Sequence, residues 1–336
     1  MSSRRLRRSS YPRRRRPRGI LWTLLSLLTL GALATILASR RPVFPEDAEP
    51  EPARGGGSDP EPPEPVPGES LWIAGPAGNL YVRDGGEGTD ALPVLFLHSL
   101  AGNGGQWSLQ LDHLRRHRRA VALDFRGHGE SDPAEDGDYS VPGLAADVAA
   151  AADQLGLRRF LLAGHSLGAA AAIEYASRHP ERVAGLLLVD PGGDQSRVPA
   201  REVEQYLESL RSDPLAELES YFRQMVIGGD PDAARWVLED LHVTHEDAVL
   251  GALADAARYE PLPALERYPG PRLSIISNLN RLPYSLHNLL PDLPVRLMTG
   301  TGHWLMMDRP EVFNHLLDEF VSQVEAAGGS HGRSAT

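Results

Sequence analysis

The sequence predicts an α/β domain built on a mostly parallel sheet with helices on both faces. Six short apolar runs lack polar alternation, which is typical of strands that are buried on both faces. Helical patterns such as 144–155 and 169–178 separate most of these runs, and this alternation favours parallel strands. The predicted strands are Val94–Leu97, Val121–Leu123, Phe160–Ala163, Leu186–Val189, Leu273–Ile276 and Val295–Met298.

Polar residues lie at or just after the ends of five predicted strands. They are His98, Asp124, Ser166, Asp190 and His303. Open α/β sheets bind their ligands at the carboxyl ends of the strands. The sequence therefore predicts that these side chains meet at one edge of the sheet and form the functional site.

The strand Phe160–Ala163 runs directly into the segment 164–168, Gly-His-Ser-Leu-Gly, and an alanine-rich helix follows. A strand that turns at once into a helix makes a sharp bend, and the side chain at its apex is exposed. Gly164 and Gly168 flank the bend because a side chain at either position would collide with the neighbouring strand or helix. The apex also lies at a helix N-terminus, which favours negative charge. The pattern predicts that Ser166 is a nucleophile.

Four further segments accompany this turn in a fixed order along the chain. They are Val-Leu-Phe-Leu-His-Ser-Leu-Ala-Gly at 94–102, Asp-Phe-Arg-Gly-His-Gly-Glu-Ser-Asp at 124–132, Leu-Val-Asp-Pro at 188–191 and Gly-Thr-Gly-His-Trp at 300–304. Together with the Ser166 turn, they make about residues 70–327 resemble the α/β-hydrolase family. The resemblance implies the α/β-hydrolase fold, a mostly parallel eight-stranded sheet with helices on both faces and a helical cap inserted after strand six.

The resemblance also implies a serine hydrolase that cleaves an ester or a related acyl bond of a small to medium apolar substrate. Ser166 would attack, His303 would take its proton, and the backbone N–H groups of Leu100 and Leu167 would form the oxyanion hole. Ser99 replaces the usual glycine of this loop, and its side chain would either narrow the approach or donate a hydrogen bond. Carbon–carbon bond hydrolysis and perhydrolysis use the same triad and remain alternatives.

The acid that orients His303 is ambiguous in the sequence. In most relatives it follows strand seven, where this chain has Asn280, and a neutral amide does not stabilise an imidazolium. Asp190, at the end of strand six, preserves the order Ser-acid-His and is the predicted acid. Asp194 is a second candidate. If neither serves, the chain is a catalytically impaired, α/β-hydrolase-like binding protein.

About 80 residues separate Asp190 from Leu273, and the predicted cap spans 192–270. Asp213-Pro214 and Asp230-Pro231 indicate helix starts. The predicted helices are Arg201–Arg211, Pro214–Val226, Pro231–Asp240 and His245–Arg258. A cap excludes water and shapes a pocket. Aromatic cap residues would either line this pocket or form the core of the cap, namely Tyr206, Tyr221, Phe222, Trp236 and Tyr259.

The N-terminal part of the chain predicts a membrane anchor. Residues 1–18 hold nine arginines and no acid, which favours a cytoplasmic location, and 19–39 carry no charge. A helix of that length rises about 30 Å, enough to cross a bilayer core. We expect the catalytic domain to be extracytoplasmic. The alternative is a cleaved signal peptide and a secreted protein.

The remaining composition limits the partners of the chain. All 34 basic residues are arginine. Beyond residue 18 the chain has 25 arginines and 45 acidic residues, so this part carries a net negative charge. We therefore expect no nucleic-acid binding. Neither a cofactor nor a metal is implied, and the chain has no cysteine. We expect a proline-rich linker at 40–68, the hydrolase domain at 69–328 and a disordered tail at 329–336. The oligomeric state is not predicted.

Overall fold

The computed structural model describes residues 68–86 and 91–331. Eight strands form one sheet in the order β1-β2-β4-β3-β5-β6-β7-β8. Strands β1, β2 and β4 pair antiparallel, and all pairs from β4 onward are parallel. The mostly parallel sheet that the sequence predicts, and the eight strands that the family resemblance implies, are therefore confirmed. The strands are β1 Gly68–Gly75, β2 Gly78–Gly85, β3 Val94–Leu97, β4 Ala120–Leu123, β5 Phe160–His165, β6 Val183–Val189, β7 Arg272–Ile276 and β8 Val295–Leu297.

The central strands are buried along their whole length, as their uniformly apolar sequences indicate. Every residue of β3, β4, β5 and β6 is buried. Among the described residues, the last strand, β8, lies at the edge of the sheet, pairs with β7 alone and is partly exposed. Burial on both faces stabilises the central strands by about 25 cal/mol for each Å² of apolar surface removed from water. The loops at their carboxyl ends therefore start from a rigid platform.

Helices that alternate with the strands cover the sheet. Helix α2 (Val141–Gln154) packs against α3 (Leu167–Arg178), whereas α1 (Ser108–Leu114) packs against the C-terminal helix, Pro310–His331. Gly185 of β6 permits close approach of that C-terminal helix, because a Cβ there would lie 2.6 Å from the Val324 side chain. The sheet is thus held by helices that contact its central strands directly.

The segment between β6 and β7 is helical, as predicted, and forms the cap. Its helices are α4 Ala200–Ser212, α5 Pro214–Met225, α6 Pro231–Val243, α7 Glu246–Ala256 and α8 Pro261–Glu266. Asp230 caps α6 by accepting from the backbone N–H groups of Asp232 and Ala233. The Asp213 side chain makes no such hydrogen bond within the described residues, so Pro214 rather than a side-chain cap marks the start of α5. Three further α-helices follow β7 within the described residues, namely α9 Leu286–Leu289, α10 Leu305–Asp308 and α11 Pro310–His331.

Two side-chain hydrogen bonds join helix α7 of the cap and the segment after it to the core of the domain. Asp255 of α7 accepts a hydrogen bond from the backbone N–H of Val141 at 2.8 Å. The Tyr259 hydroxyl donates to Glu174 of α3 at 2.9 Å. Among residues 68–86 and 91–331, no helix is long and apolar enough to cross a membrane. The expected anchor at 19–39 lies outside the described residues.

Candidate active site

Ser166 lies at the apex of the turn between β5 and α3. Its backbone has φ 54° and ψ −110°, and its side chain is partly exposed. A Cβ on Gly164 would lie 2.2 Å from the carbonyl oxygen of Gly168, and a Cβ on Gly168 would lie 2.5 Å from that of His98. Both distances are far below van der Waals contact, so the predicted need for glycine on each side of Ser166 is confirmed.

Backbone strain is concentrated around this turn. Three non-glycine residues in the described part of the chain have a positive φ, namely Ala101 at 53°, Ser166 at 54° and Asp190 at 40°. They lie in the loops after β3, β5 and β6. Such conformations cost of order 1–3 kcal/mol each and cluster at functional sites. The strain therefore marks the carboxyl edge of three neighbouring strands as the candidate site.

The Asp190 carboxylate contacts the imidazole of His303. Asp190 Oδ2 lies 2.6 Å from His303 Nδ1, and both side chains are buried. Because Nδ1–H donates to the carboxylate, Nε2 carries the free lone pair of the neutral ring. A ring held in this tautomer can accept a proton from a neighbouring hydroxyl. The structure thus brings together the histidine and the acid expected after strand six.

Ser277 holds the Asp190 carboxylate in place. Its backbone N–H donates to Asp190 Oδ1 and its hydroxyl donates to Oδ2, both at 2.8 Å. Ser277 follows β7, which pairs with β6, so the two chain ends meet at the same sheet edge. Sequence reasoning missed this residue. The available signal was a polar residue at the end of an apolar strand.

Asn280 and Asp194 have other contacts. The Asn280 amide donates to the carbonyl of Pro191 at 2.7 Å and accepts from the Ser285 hydroxyl at 2.8 Å. The Asp194 carboxylate accepts from the backbone N–H and the hydroxyl of Ser196 and pairs with Arg197. Each side chain stabilises its own loop, and Asp190 is the acid that contacts His303.

Contacts from two sides fix the backbone of His303. Its N–H donates to the carbonyl of Met225, the last residue of cap helix α5, at 2.8 Å. Its carbonyl accepts from His165 Nε2 at 2.9 Å, and the two imidazole rings lie 4.5 Å apart. His165 directly precedes Ser166. Neither Met225 nor this role of His165 follows from a local sequence pattern.

Asp308 connects the histidine loop to the cap. Its carboxylate accepts from the backbone N–H groups of Gly302 and Asp230, both at 2.8 Å. Asp230 begins α6, so one side chain joins the segment before His303 to the turn between two cap helices. Together with the hydrogen bond from His303 to Met225, this contact holds the histidine loop against the end of α5 and the start of α6.

The expected oxyanion donors lie on adjoining segments. Within residues 68–86 and 91–331, the backbone N–H groups of Leu100 and Leu167 have no acceptor. Leu167 begins α3, where unpaired N–H groups favour an anion. The buried Ser99 hydroxyl lies 3.4 Å from both the Leu100 carbonyl and Gln106 Oε1. Ser99 therefore directs its hydroxyl into the protein.

His98 connects the oxyanion loop to the loop after β4. Its Nδ1–H donates to the carbonyl of Ser99 at 2.7 Å, and its Nε2 accepts from the N–H of Phe125 at 3.0 Å. Burial lowers the pKa of His98 to about 4. The ring is neutral and fully hydrogen bonded, so His98 holds two loops of the site together.

The aromatic residues of the cap divide between its core and the site. Phe222 is buried and packs on Trp304, with ring centroids 5.6 Å apart, and Tyr206 is also buried. Trp236 is 38% exposed. Burial, together with the nearby Asp190 carboxylate, raises the pKa of Tyr221 to about 12. Tyr221 thus lies close enough to Asp190 for the carboxylate charge to raise its pKa.

In the part of the chain that the structure describes, no group of three or more His, Cys, Asp or Glu side chains could hold a metal ion. The chemistry that this arrangement can perform is nucleophilic attack by a serine, with proton transfer through an oriented histidine.

Comparisons with known proteins agree with this architecture. The family model of the alpha/beta hydrolase fold matches residues 93–248. N-formylmaleamate deformylase of Pseudomonas putida is 27% identical over 270 residues, which are 75% of this chain and 98% of the relative. The (lyso)-N-acylphosphatidylethanolamine lipase of Mus musculus is 26% identical over 282 residues, 73% and 75% of the two chains.

A solved structure is similar as well. A membrane phospholipase A, described as a bacterial virulence factor, superposes with a TM-score of 0.63 at 27% identity and covers 77% of this chain and 87% of its own. The eight-stranded, mostly parallel sheet with its helices agrees with the fold that the family model describes. The chain therefore has the α/β-hydrolase fold.

Proposed function

We propose that the protein is a membrane-anchored serine hydrolase that cleaves a carboxylic ester or a related acyl bond of a small to medium apolar substrate. Ser166, His303 and Asp190 are the proposed catalytic triad, and the N–H groups of Leu100 and Leu167 form the proposed oxyanion hole. The hydrogen bond of 2.6 Å between Asp190 and His303 is the observation that carries this proposal.

The proposed reaction passes through an acyl-enzyme. Ser166 Oγ attacks the carbonyl carbon while His303 Nε2 takes the hydroxyl proton, and Asp190 stabilises the resulting imidazolium. The N–H groups of Leu100 and Leu167 bind the developing oxyanion. The C–O bond breaks, His303 gives its proton to the leaving alcohol, and a water molecule then releases the acid by the same route.

The names of the relatives support an acyl substrate. One relative is named a deformylase and another a lipase, and a similar solved structure is named a phospholipase. The alternative of an impaired binding protein rests on Asn280 alone. Asp190 contacts His303 while Asn280 contacts Pro191, and this arrangement favours the enzyme.

Labelling with a fluorophosphonate probe tests the proposal, because this reagent reacts with activated serines. We expect the full-length protein to be labelled and Ser166→Ala to be unlabelled. Ser196→Ala is the matched control, since its hydroxyl donates to Asp194 rather than to the triad. Labelling of Ser166→Ala equal to the wild type, or an unlabelled wild type that is folded, would refute the serine mechanism.

Fractionation of the producing cells tests the membrane anchor. We expect the intact chain in the membrane pellet after washing with sodium carbonate, because 19–39 form an uncharged stretch long enough to cross the bilayer. A variant without residues 1–41 should move to the soluble fraction. A wild-type chain that begins after residue 34 and is found in the medium would instead indicate a cleaved signal peptide.

A further inference from the structure

The Gln106 side chain lies between the cap and both loops that flank the triad. It is 2% exposed and belongs to the segment after β3. Its Nε2 donates to Asp240 Oδ2 at 2.8 Å. Its Oε1 accepts from Trp304 Nε1 at 3.2 Å and lies 3.4 Å from Ser99 Oγ. Trp304 directly follows His303, and Ser99 directly precedes Leu100.

Asp240 supplies the cap end of this connection. It belongs to α6, is buried, and accepts from two side-chain amides of the segment after β3. Its Oδ1 accepts from Asn103 Nδ2 at 2.9 Å, and its Oδ2 accepts from Gln106. A buried carboxylate with two amide donors is costly to disturb, because each lost partner leaves a polar group unpaired.

The chemistry of the partners fixes the orientation of the Gln106 amide. An ionised carboxylate only accepts hydrogen bonds, so Asp240 requires the NH₂ group of Gln106. The indole N–H of Trp304 only donates, so it requires the carbonyl oxygen. One orientation of the amide satisfies both partners, and it presents Oε1 to Trp304 and Ser99 together.

We propose that Asp240 and Gln106 form a positioning pair through which the cap sets the oxyanion loop and the histidine loop at the correct separation. This inference rests on the proposed serine hydrolase mechanism. Gln106 acts on the oxyanion donor through Ser99 and on His303 through Trp304, whose ring lies 5.1 Å from the imidazole. Neither member of the pair is proposed to touch the substrate.

Two single substitutions disturb the pair in opposite ways. Asp240→Asn places an NH₂ group against a donor, either the amide of Gln106 or that of Asn103. Gln106→Glu places one carboxylate against another. We expect each to lower kcat for p-nitrophenyl butyrate by about tenfold or more with KM nearly unchanged, since small displacements of catalytic groups are costly.

The double substitution exchanges the two functional groups and restores the hydrogen bonds between positions 106 and 240 and those with Asn103, Trp304 and Ser99. With Gln106→Glu and Asp240→Asn together, the amide at 240 accepts from Asn103 and donates to the carboxylate at 106. That carboxylate still accepts from Trp304 and Ser99. We expect kcat of the double variant to return to within about threefold of the wild type, because the two sites are directly coupled.

Asp255→Asn is the matched control, because it removes a carboxylate acceptor between cap and core at a place remote from both loops. We expect its kcat to equal that of the wild type even if its Tm falls. All assays use the full-length protein at pH 8, above the pKa of Asp240, which burial raises to about 6. Wild-type kcat in both single variants, or a double variant no better than the worse single one, overturns the proposal.

A spectroscopic measurement separates this inference from the proposed function. The indole N–H resonance of Trp304, assigned by its absence in Trp304→Phe, should shift in Asp240→Asn and return in the double variant. If the wild type hydrolyses no ester but the resonance behaves in this way, the serine mechanism fails and the connection stands. An unshifted resonance in Asp240→Asn refutes the connection whatever the activity.

Discussion

Replacement of Asp190 with asparagine is expected to lower kcat by about 10⁴, the loss that follows when a triad acid becomes an amide. Three donors converge on the Asp190 carboxylate, namely the N–H and hydroxyl of Ser277 and Nδ1–H of His303. An amide at 190 offers one acceptor oxygen and an NH₂ group. That NH₂ group would point at the donors of Ser277 or His303, with which it cannot form a hydrogen bond.

The consequence for His303 explains the size of the effect. To accept from an amide at 190, its Nδ1 must lose the proton, and the proton moves to Nε2. In the proposed triad, a protonated Nε2 would donate toward Ser166 and could not take the serine proton. The steady-state rate of p-nitrophenyl ester hydrolysis at pH 8 measures the loss, and circular dichroism checks that the variant is folded.

Asp194→Asn is the matched control, because it makes the same change in the same loop. Its carboxylate contacts Ser196 and Arg197, so we expect kcat within about threefold of the wild type, as for most changes outside the reacting groups. A large loss in Asp194→Asn with little loss in Asp190→Asn would reassign the acid to the second candidate from the sequence.

Acidification is expected to destabilise the folded protein between pH 6.5 and pH 4. Burial lowers the pKa of His98 to about 4 and that of His128 to about 3, and it also lowers that of His165. In this interval the unfolded chain binds protons at these sites and the folded chain does not. The stability that these neutral histidines contribute is therefore present above about pH 6.5, the histidine pKa in the unfolded chain, and is lost as the pH falls.

The expected size follows from the pKa differences. Between pH 8 and pH 5, His98 and His128 should each lower the free energy of unfolding by about 2 kcal/mol. Asp240 opposes them by about 1 kcal/mol, because its raised pKa lets the folded state take up a proton in the same range. Asp147 and Asp308, whose pKa burial also raises, oppose the loss as well, and His165 adds to it. Unfolding by urea at the two pH values should show a net loss of about 3 kcal/mol.

His128→Asn isolates one of these groups. The asparagine amide can donate to the Arg126 carbonyl, as His128 Nδ1 does at 3.0 Å, but it does not titrate. The loss between pH 8 and pH 5 should shrink by about 2 kcal/mol in this variant. His315→Asn, at a side chain that is 73% exposed, should leave the loss unchanged. An equal loss in wild type and His128→Asn would contradict the assignment.

Several parts of the fold follow from local sequence. Apart from His165 at the end of β5, strands β3 to β6 carry no polar side chain, because helices cover both faces of the sheet. Each was predicted within a few residues of its bounds. The four principal cap helices also begin within one residue of the predicted positions, and Pro214 and Pro231 mark two of these starts. The turn at Ser166 is local as well, because glycine on each side is a steric requirement within five residues.

The contacts of the acid depended on the tertiary structure. Asp190 and Asn280 both follow strands that end near His303, and local sequence does not determine which side chain turns toward it. Pairing of β6 with β7 brings Ser277 against Asp190, and Ser277 then holds the carboxylate toward His303. The Asn280 side chain instead forms hydrogen bonds with Pro191 and Ser285.

The sequence by itself determined the strand order along the chain, the position of the cap and the serine turn, because these features depend on periodicity and on sterics over a few residues. The tertiary structure decided which carboxylate contacts His303 and that Asp240, 134 residues from Gln106, binds its amide. The physical reason is that a hydrogen bond between distant segments depends on how the sheet and cap pack, and no local pattern encodes that distance.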